Sequence, residues 1–251
     1  MKHLTILTGA SRGMGLAMAE QLCAPDAMVL CISRASVPDL DQHAARRGAA
    51  LIQWEADLND PIPVAQRLQT WLAAQNPRVW SSATLINNAG MIGRMGPLDP
   101  MDASTLAMTL RVDLEAPMQL AAVFLVATRG WAMPRKILNI SSGLGRRAIA
   151  GGAMYCAAKA GMDHFSRCVA LDQAGQPNAA RIVSLAPGII DTDMQADLRA
   201  SDASRFPGRE KFVQAKASGA LTSPSDAAKR VLAHLARADF GSDTVTDVRE
   251  A

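Results

Sequence analysis

The single tyrosine of the chain, Tyr155, is followed four residues later by Lys159. Residues 153–170 are mostly good helix formers, so this spacing places both side chains on one face of a helix. A phenol gives up its proton reluctantly at neutral pH, and a neighbouring cation lowers its pKa by favouring the phenolate. The pair therefore predicts a proton donor, although an exposed polar pair on an ordinary helix has the same spacing.

A glycine-rich turn near the N-terminus predicts a dinucleotide site. An apolar strand over residues 3–8 precedes the turn and a helix over residues 16–23 follows it. The turn residues are Gly9, Ser11, Arg12, Gly13, Met14 and Gly15. Glycines let the backbone approach a pyrophosphate, which binds at the free N–H groups of the helix. The spacing is G-x-x-x-G-x-G rather than G-x-G-x-x-G, and a turn without a ligand is the alternative.

The second predicted strand, residues 27–32, ends in Ser33 and Arg34. An NAD site usually carries an acidic group here for the ribose hydroxyls. Arg34 and Arg12 can instead clamp a 2′-phosphate through charge-assisted hydrogen bonds, so the sequence predicts a preference for NADP(H). Two solvated arginines are the alternative.

Two further strands end in residues that suit a nucleotide. These residues are Asp57 and Leu58 after strand 51–54, and Asn88, Ala89 and Gly90 after strand 84–86. The Asp57 carboxylate can accept from an adenine amino group, but a helix N-cap at Asp57 or Asn59 explains the same residues. The small residues after strand 84–86 let the backbone lie against a ribose.

The remaining elements continue the alternation of strands and helices. We predict a helix over 103–128 and then a strand over 136–140 that leads to Ser142. A strand over 180–185 leads to Pro187, Gly188, Ile190 and Thr192. A helix capped by Ser223 or Ser225 and a last strand near 243–248 complete the chain. Residues 194–220 have no clear pattern. The alternation predicts a doubly wound parallel sheet of the Rossmann type, with about seven strands, helices on both faces and one domain over residues 1–251.

Composition excludes several functions. The 26 basic and 23 acidic residues are scattered, which argues against a nucleic-acid partner. The cysteines Cys23, Cys31, Cys156 and Cys168 form no C-x-x-C pair, and they indicate reduced thiols in a cytoplasmic protein without a metal. The longest clean apolar run, residues 120–127, is too short for a membrane span, and we find no targeting segment.

In four motifs the chain resembles the short-chain dehydrogenase/reductases, and the resemblance covers nearly its whole length. The motifs are Thr8-Gly9-x-x-x-Gly13-x-Gly15, Asn87-Asn88-Ala89-Gly90, Ser142 with Tyr155-x-x-x-Lys159, and Pro187-Gly188-x-x-x-Thr192. Residues 139–143, 153–161 and 187–195 are further similar to the sepiapterin reductase and benzil reductase branch of that family.

The resemblance implies roles for these residues. Tyr155 would be the general acid in carbonyl reduction, and Lys159 would lower its pKa and hold the nicotinamide ribose. Ser142 would donate to the substrate oxygen. Thr192 and the backbone at Ile190 would hold the nicotinamide carboxamide. The resemblance also implies a homodimer or homotetramer that pairs through helix 103–128 and the Tyr155 helix.

Two acidic residues leave alternatives open. The family usually has asparagine where this chain has Asp113, and that residue helps to hold a water beside the lysine. The Asp113 side chain either points at this water or bonds within its own helix. The same resemblance implies that Asp247 would correspond to a carboxylate that anchors a pterin in the sepiapterin branch, and a solvated residue on a terminal strand is the alternative.

These observations predict an NADPH-dependent reductase of a ketone or vicinal dicarbonyl. One alternative is an NADP-dependent secondary-alcohol dehydrogenase, which catalyses the same reaction in reverse. The other is a non-catalytic NADP-sensing protein on the same fold. We expect loops 91–97, 144–150 and 194–211 to line the substrate pocket, but loops of this kind do not identify a substrate.

Overall fold

In the computed structural model, which describes residues 2–250, seven strands form one parallel sheet. The strands are β1 (Lys2–Thr8), β2 (Ala27–Ser33), β3 (Ala50–Glu55), β4 (Trp80–Asn87), β5 (Arg135–Ile140), β6 (Arg181–Ala186) and β7 (Val245–Asp247). Their order across the sheet is β3-β2-β1-β4-β5-β6-β7. The order reverses between β1 and β4, and a parallel sheet binds its ligands beyond the carboxyl ends of the strands at such a point.

Helices cover both faces of the sheet, as the sequence predicts. They are α1 (Gly13–Leu22), α2 (Pro38–Arg47), α3 (Pro61–Ala73), α4 (Ala103–Leu110), α5 (Ala116–Ala127), α6 (Ala153–Gln173), α7 (Asp193–Ala200), α8 (Arg209–Ala217) and α9 (Pro224–Ala236). One hydrophobic core packs α3, α5 and α6 against the sheet. The other core packs α1, α2 and α9 against the opposite face. The strands are apolar along most of their length because both of their faces are buried.

A local sequence signal sets where α9 begins. The Ser223 hydroxyl accepts from the Asp226 N–H at 3.0 Å, so Ser223 is the cap of α9. The predicted cap of α3 at Asp57 or Asn59 is wrong, because the N-cap is Asp60. Asp57 instead accepts from the Asn59 N–H at 2.9 Å in the turn that precedes the helix.

The predicted helix over 103–128 contains a π-helical turn. Residues Arg111–Glu115 form this turn between α4 and α5, and the chain stays helical throughout. A π turn holds an extra residue relative to the α-helix, and such turns often occur at functional sites. In this chain the buried residue of the turn is Asp113.

The segment over 194–220, for which the sequence has no clear pattern, contains α8 and all of α7 except its first residue. Phe206 and Phe212 stack there with their ring centroids 5.7 Å apart. Throughout residues 2–250 no helix is long and apolar enough to cross a membrane, and no cluster of His, Cys, Asp and Glu could hold a metal ion.

Candidate active site

A cavity of about 1170 Å³ opens at the carboxyl ends of the strands. It is lined by the predicted residues Gly9, Ser11, Arg12, Gly13, Met14, Gly15, Arg34, Asp57, Leu58, Asn88, Ala89, Gly90, Ser142, Tyr155, Lys159, Pro187, Gly188, Ile190 and Thr192. Of the predicted site residues, only Asp113 lies outside the lining. A pocket for one small ligand usually measures about 300–1,000 Å³. The volume of this cavity therefore exceeds the upper end of that range.

The glycine turn is packed too tightly for side chains. A Cβ placed on Gly15 would lie 2.0 Å from the Gly9 carbonyl oxygen, and one on Gly9 would lie 2.8 Å from the Ala89 Cα. The Thr8 hydroxyl accepts from the N–H groups of Asn88 and Ala89, both at 3.0 Å. These contacts fix the turn against the segment after β4, and they leave the first N–H groups of α1 free to bind an anion.

The two predicted phosphate ligands have different surroundings. Arg34 is exposed at the end of β2, and among residues 2–250 its side chain has no hydrogen-bond or ion-pair partner. Arg12 pairs with Asp193 at 2.7 Å, but the two side chains are 64% and 68% exposed. An exposed pair of this kind contributes at most about 1 kcal/mol, so a phosphate can replace Asp193 as the partner of Arg12.

The opposite wall of the cavity is formed by the segment after β6. Thr192 is the N-cap residue of α7, and its hydroxyl lies 3.4 Å from the Ile190 carbonyl oxygen. A short β-bridge joins Ile190 to Thr222. A Cβ placed on Gly13 would lie 3.3 Å from the Thr192 methyl group, so this wall closely approaches the glycine turn.

Tyr155, Lys159 and Ser142 lie together at the inner end of the cavity. Tyr155 and Lys159 are buried, with 7% and 3% of their surfaces exposed. The Lys159 ammonium lies 5.6 Å from the Tyr155 ring centroid and donates to the Ile140 carbonyl oxygen at 3.1 Å. The predicted convergence of the pair on one helix face is therefore present, and the alternative of an exposed polar pair is wrong.

The surroundings of Tyr155 shift its acidity. Burial raises the pKa of the phenol above its ordinary value, the Asp113 charge raises this pKa further, and a hydrogen bond with Ser142 acts in the opposite direction. The sequence-based expectation of a lowered pKa is therefore wrong for this arrangement of side chains. A phenol with a raised pKa keeps its proton throughout the neutral pH range.

The Asp113 side chain does not bond within its own helix, so that alternative is wrong. It is fully buried, and one carboxylate oxygen accepts from the Met91 N–H at 2.8 Å in the loop after β4. A Cβ placed on Gly90 would lie 3.1 Å from this oxygen and 3.4 Å from the Lys159 ammonium. Burial raises the pKa of Asp113 to about 6, while Lys159 lowers it. The Asp113 carboxylate thus holds the loop at Met91 beside the cavity, and it lies next to Gly90, as the Lys159 ammonium does.

A buried carboxylate that the sequence analysis overlooked holds the loop after Ser142. Asp163 accepts from the Ser184 hydroxyl at 2.6 Å and from the Arg146 guanidinium at 3.3 Å. Arg146 also donates to the Thr246 carbonyl oxygen at 2.7 Å. The spacing contains a usable signal, because Asp163 follows Lys159 by four residues, as Lys159 follows Tyr155.

Asp247 is buried rather than solvated, so the alternative of a solvated terminal residue is wrong. Its exposed fraction is 3%, and it lines the cavity. Arg249 donates to it at 2.6 Å and lowers its pKa. The charge of this carboxylate is therefore already neutralised by a cation of the same chain.

The predicted substrate loops all contribute to the lining. An apolar cluster that includes Tyr155 forms the wall at this end of the cavity. Its members on the cavity surface are Ile92, Leu144, Ile149, Met194, Leu198 and Phe212. Helices α7 and α8 supply the last three. The wall formed by this cluster therefore suits an apolar group, whereas the end at the glycine turn suits a phosphate.

The sheet, the glycine turn and the buried tyrosine with its lysine define a dinucleotide-binding oxidoreductase. Residues 3–203 match the family model described as short chain dehydrogenase, and the chain belongs to that family. It is 32% identical over 245 residues to the benzil reductase ((S)-benzoin forming) of Bacillus cereus, with 98% of each chain covered. It is 29% identical over 253 residues to the sepiapterin reductase of Meriones unguiculatus, with 96% of this chain and 94% of the relative covered.

Solved structures of the family have the same fold. A protein from Beutenbergia cavernae, described as an NAD(P)-dependent gluconate 5-dehydrogenase and solved with NADP at low occupancy, superposes with a TM-score of 0.78. Its sequence is 27% identical, and the match covers 98% of this chain and 94% of that one. The predicted family and the predicted branch are thus confirmed.

Proposed function

We propose that this chain is an NADPH-dependent reductase of ketones or vicinal dicarbonyls, acting as one domain in the cytoplasm. The observation that carries the proposal is the position of Tyr155, Lys159 and Ser142 in the same cavity as the glycine turn and Arg34. Similarity to a benzil reductase and to a sepiapterin reductase supports a carbonyl substrate. The four free cysteines fit the predicted compartment.

The residues of the cavity fit the proposed cofactor. Gly9 and Gly15 leave backbone exposed where any side chain would overlap with its neighbours, as a bound pyrophosphate requires. Arg34, which has no partner among residues 2–250, offers a cation for a 2′-phosphate. NADPH, when bound, supplies a hydride to the carbonyl carbon of the substrate.

The protein's own residues complete the reduction by supplying a proton. In the proposed mechanism Tyr155 donates its phenolic proton to the carbonyl oxygen as negative charge develops there, and the Ser142 hydroxyl donates a hydrogen bond to the same oxygen. The Lys159 charge stabilises the phenolate that remains. The apolar wall around Tyr155 excludes water, which strengthens each of these interactions.

The cofactor preference depends on Arg34. We expect Arg34→Asp to shift the preference from NADPH toward NADH, because it removes the phosphate partner and supplies a carboxylate for the ribose hydroxyls. The measurement is the ratio of kcat/KM for the two cofactors. Arg78→Met is the matched control, because Arg78 is exposed just before the amino end of β4, away from the cavity. A wild type that already prefers NADH would contradict the assignment.

The effect of Asp113 on Tyr155 can be measured from the pH dependence of the reaction. Because the Asp113 charge raises the pKa of the phenol, Asp113→Asn lowers that pKa. Reduction needs the protonated phenol, so the alkaline limb of the pH–rate profile is expected to move to lower pH while activity persists. A profile that superimposes on that of the wild type would show that the Asp113 charge does not act on Tyr155.

We propose that the chain forms a homodimer or homotetramer through the outer faces of α4, α5 and α6. These faces expose Leu110 (40%), Met118 (41%), Val126 (56%) and Leu171 (75%). Exposed large apolar side chains on the proposed pairing helices favour association. Light scattering at micromolar concentration is expected to give the mass of two or four chains, and the mass of one chain would contradict the proposal.

The reaction itself is tested by following NADPH oxidation over a panel of diketones, quinones, pterins and aldehydes. We expect turnover of at least one aromatic dicarbonyl. Faster oxidation of alcohols by NADP⁺ at neutral pH would favour the dehydrogenase alternative. Tight NADPH binding without turnover of any compound would favour the sensor alternative.

A further inference from the structure

Three cations at the apolar end of the cavity have no protein partner. Arg94, Arg147 and Lys211 line the cavity, and none of their side chains forms a hydrogen bond or an ion pair with residues 2–250. They come from three different segments: the loop after β4, the loop after β5 and helix α8. Their charges are therefore available to a ligand.

The carboxylates at this end do not neutralise the three cations. Lys216 pairs with Asp191 at 2.5 Å, Arg12 with Asp193 at 2.7 Å and Arg249 with Asp247 at 2.6 Å. Asp197 is the one carboxylate of this end without such a partner among residues 2–250. The Arg94 charge also acts on Asp202. The two other cations, Arg147 and Lys211, against Asp197 leave this end of the cavity positive, and such a potential attracts an anion.

Of the three cations, Arg147 is the nearest in sequence to Ser142 and Tyr155. Its Nη2 would lie 3.3 Å from a Cβ placed on Gly143, so the guanidinium is folded over the backbone of the residue that follows Ser142. Ser142 and Arg147 both line the cavity, as does Leu144 between them. The Arg147 guanidinium and the Ser142 hydroxyl therefore belong to the same loop of the cavity wall.

We propose that the natural substrate is a 2-oxo acid with an apolar or aryl substituent, and that Arg147 binds its carboxylate. The planar guanidinium of arginine can donate two parallel hydrogen bonds to a carboxylate, and the apolar wall accommodates the substituent. Arg94 and Lys211 attract the anion to the cavity. In the reaction the carbonyl carbon gains the hydride of NADPH and the carbonyl oxygen gains the Tyr155 proton, which yields a 2-hydroxy acid and NADP⁺. This inference rests on the proposed function.

The test compares phenylglyoxylate with its neutral methyl ester. The quantity is the ratio of kcat/KM for the acid to kcat/KM for the ester, measured with NADPH in the wild type and in Arg147→Met. Comparing this ratio between proteins cancels the different intrinsic reactivities of the two carbonyls. We expect the ratio to fall at least about tenfold in Arg147→Met, because a hydrogen bond between charged groups is lost. Arg147→Lys keeps the positive charge but cannot donate the two parallel hydrogen bonds, and its ratio is expected to lie between those of the wild type and Arg147→Met.

Arg78→Met removes an equal charge at the amino end of the sheet, and it is expected to leave the ratio at the wild-type value. An equal ratio in the wild type and in Arg147→Met would overturn the inference, and so would reduction of benzil or the ester without reduction of the acid. Neither of these results contradicts the proposed function. Failure of the wild type to reduce the acid, the ester and benzil would contradict the proposed function itself.

Discussion

We expect Tyr155→Phe to lower kcat for carbonyl reduction at least about a hundredfold. The substitution removes the proposed proton donor, and general acid catalysis contributes roughly 10²–10⁴-fold. The aromatic ring stays in place within the apolar cluster that it shares with Ile92, Leu198 and Phe206. Steady-state NADPH oxidation with an aromatic diketone at neutral pH measures the effect.

The control for this variant is its affinity for NADPH. Because the ring and its packing are retained, we expect the dissociation constant and the unfolding temperature to stay close to the wild-type values. Activity within a few-fold of the wild type would exclude Tyr155 as the acid. An equal loss of activity and of NADPH affinity would show that the phenol acts in binding instead.

The second large effect is expected at the glycine turn. Gly15→Ala places a Cβ 2.0 Å from the Gly9 carbonyl oxygen and 2.5 Å from the Asn88 amide nitrogen, so the turn has to open. Overpacking of this kind costs about 1–3 kcal/mol, which corresponds to a roughly fivefold to hundredfold loss where the ligand needs the original geometry. Fluorescence titration with NADPH measures the loss of affinity.

Gly130→Ala is the matched control for this substitution. Nothing lies within 4 Å of a Cβ placed on Gly130, and the residue is in the exposed turn after α5. We expect its NADPH affinity to equal that of the wild type. If Gly15→Ala also binds NADPH as the wild type does, the pyrophosphate does not lie on this turn.

The sequence predicted the parts of the site that depend on local periodicity. Tyr155 and Lys159 share a helix face because four residues make about one turn, and the strands were recognisable as apolar runs. The alternation of strands and helices with right-handed crossovers predicts the parallel sheet, but it does not fix the order of the strands. The residues at the carboxyl ends of the strands then necessarily meet at one edge.

Features that depend on tertiary contacts were not predictable. The sequence of helix α8 shows no apolar face, because its two large apolar residues, Phe212 and Val213, are adjacent in the chain, yet Phe212 packs on the cavity wall. The bond from Asp113 to Met91 joins residues 22 positions apart, and no local pattern indicates it. The raised pKa of Tyr155 results from burial, which spacing alone does not reveal.

The transfer of label from deuterated NADPH to a carbonyl substrate tests the proposed chemistry most directly. The wild type is incubated with benzil and NADPH that carries deuterium on one face of the nicotinamide C4 atom, and the mass of the product is measured. We predict that one of the two labelled forms yields benzoin one mass unit heavier, and that Tyr155→Phe forms at least about a hundredfold less product in the same time. Two results would contradict the claim that this protein is a reductase that transfers hydride from this cavity. One is unlabelled benzoin from both labelled forms, and the other is that NADPH is not consumed with any carbonyl compound.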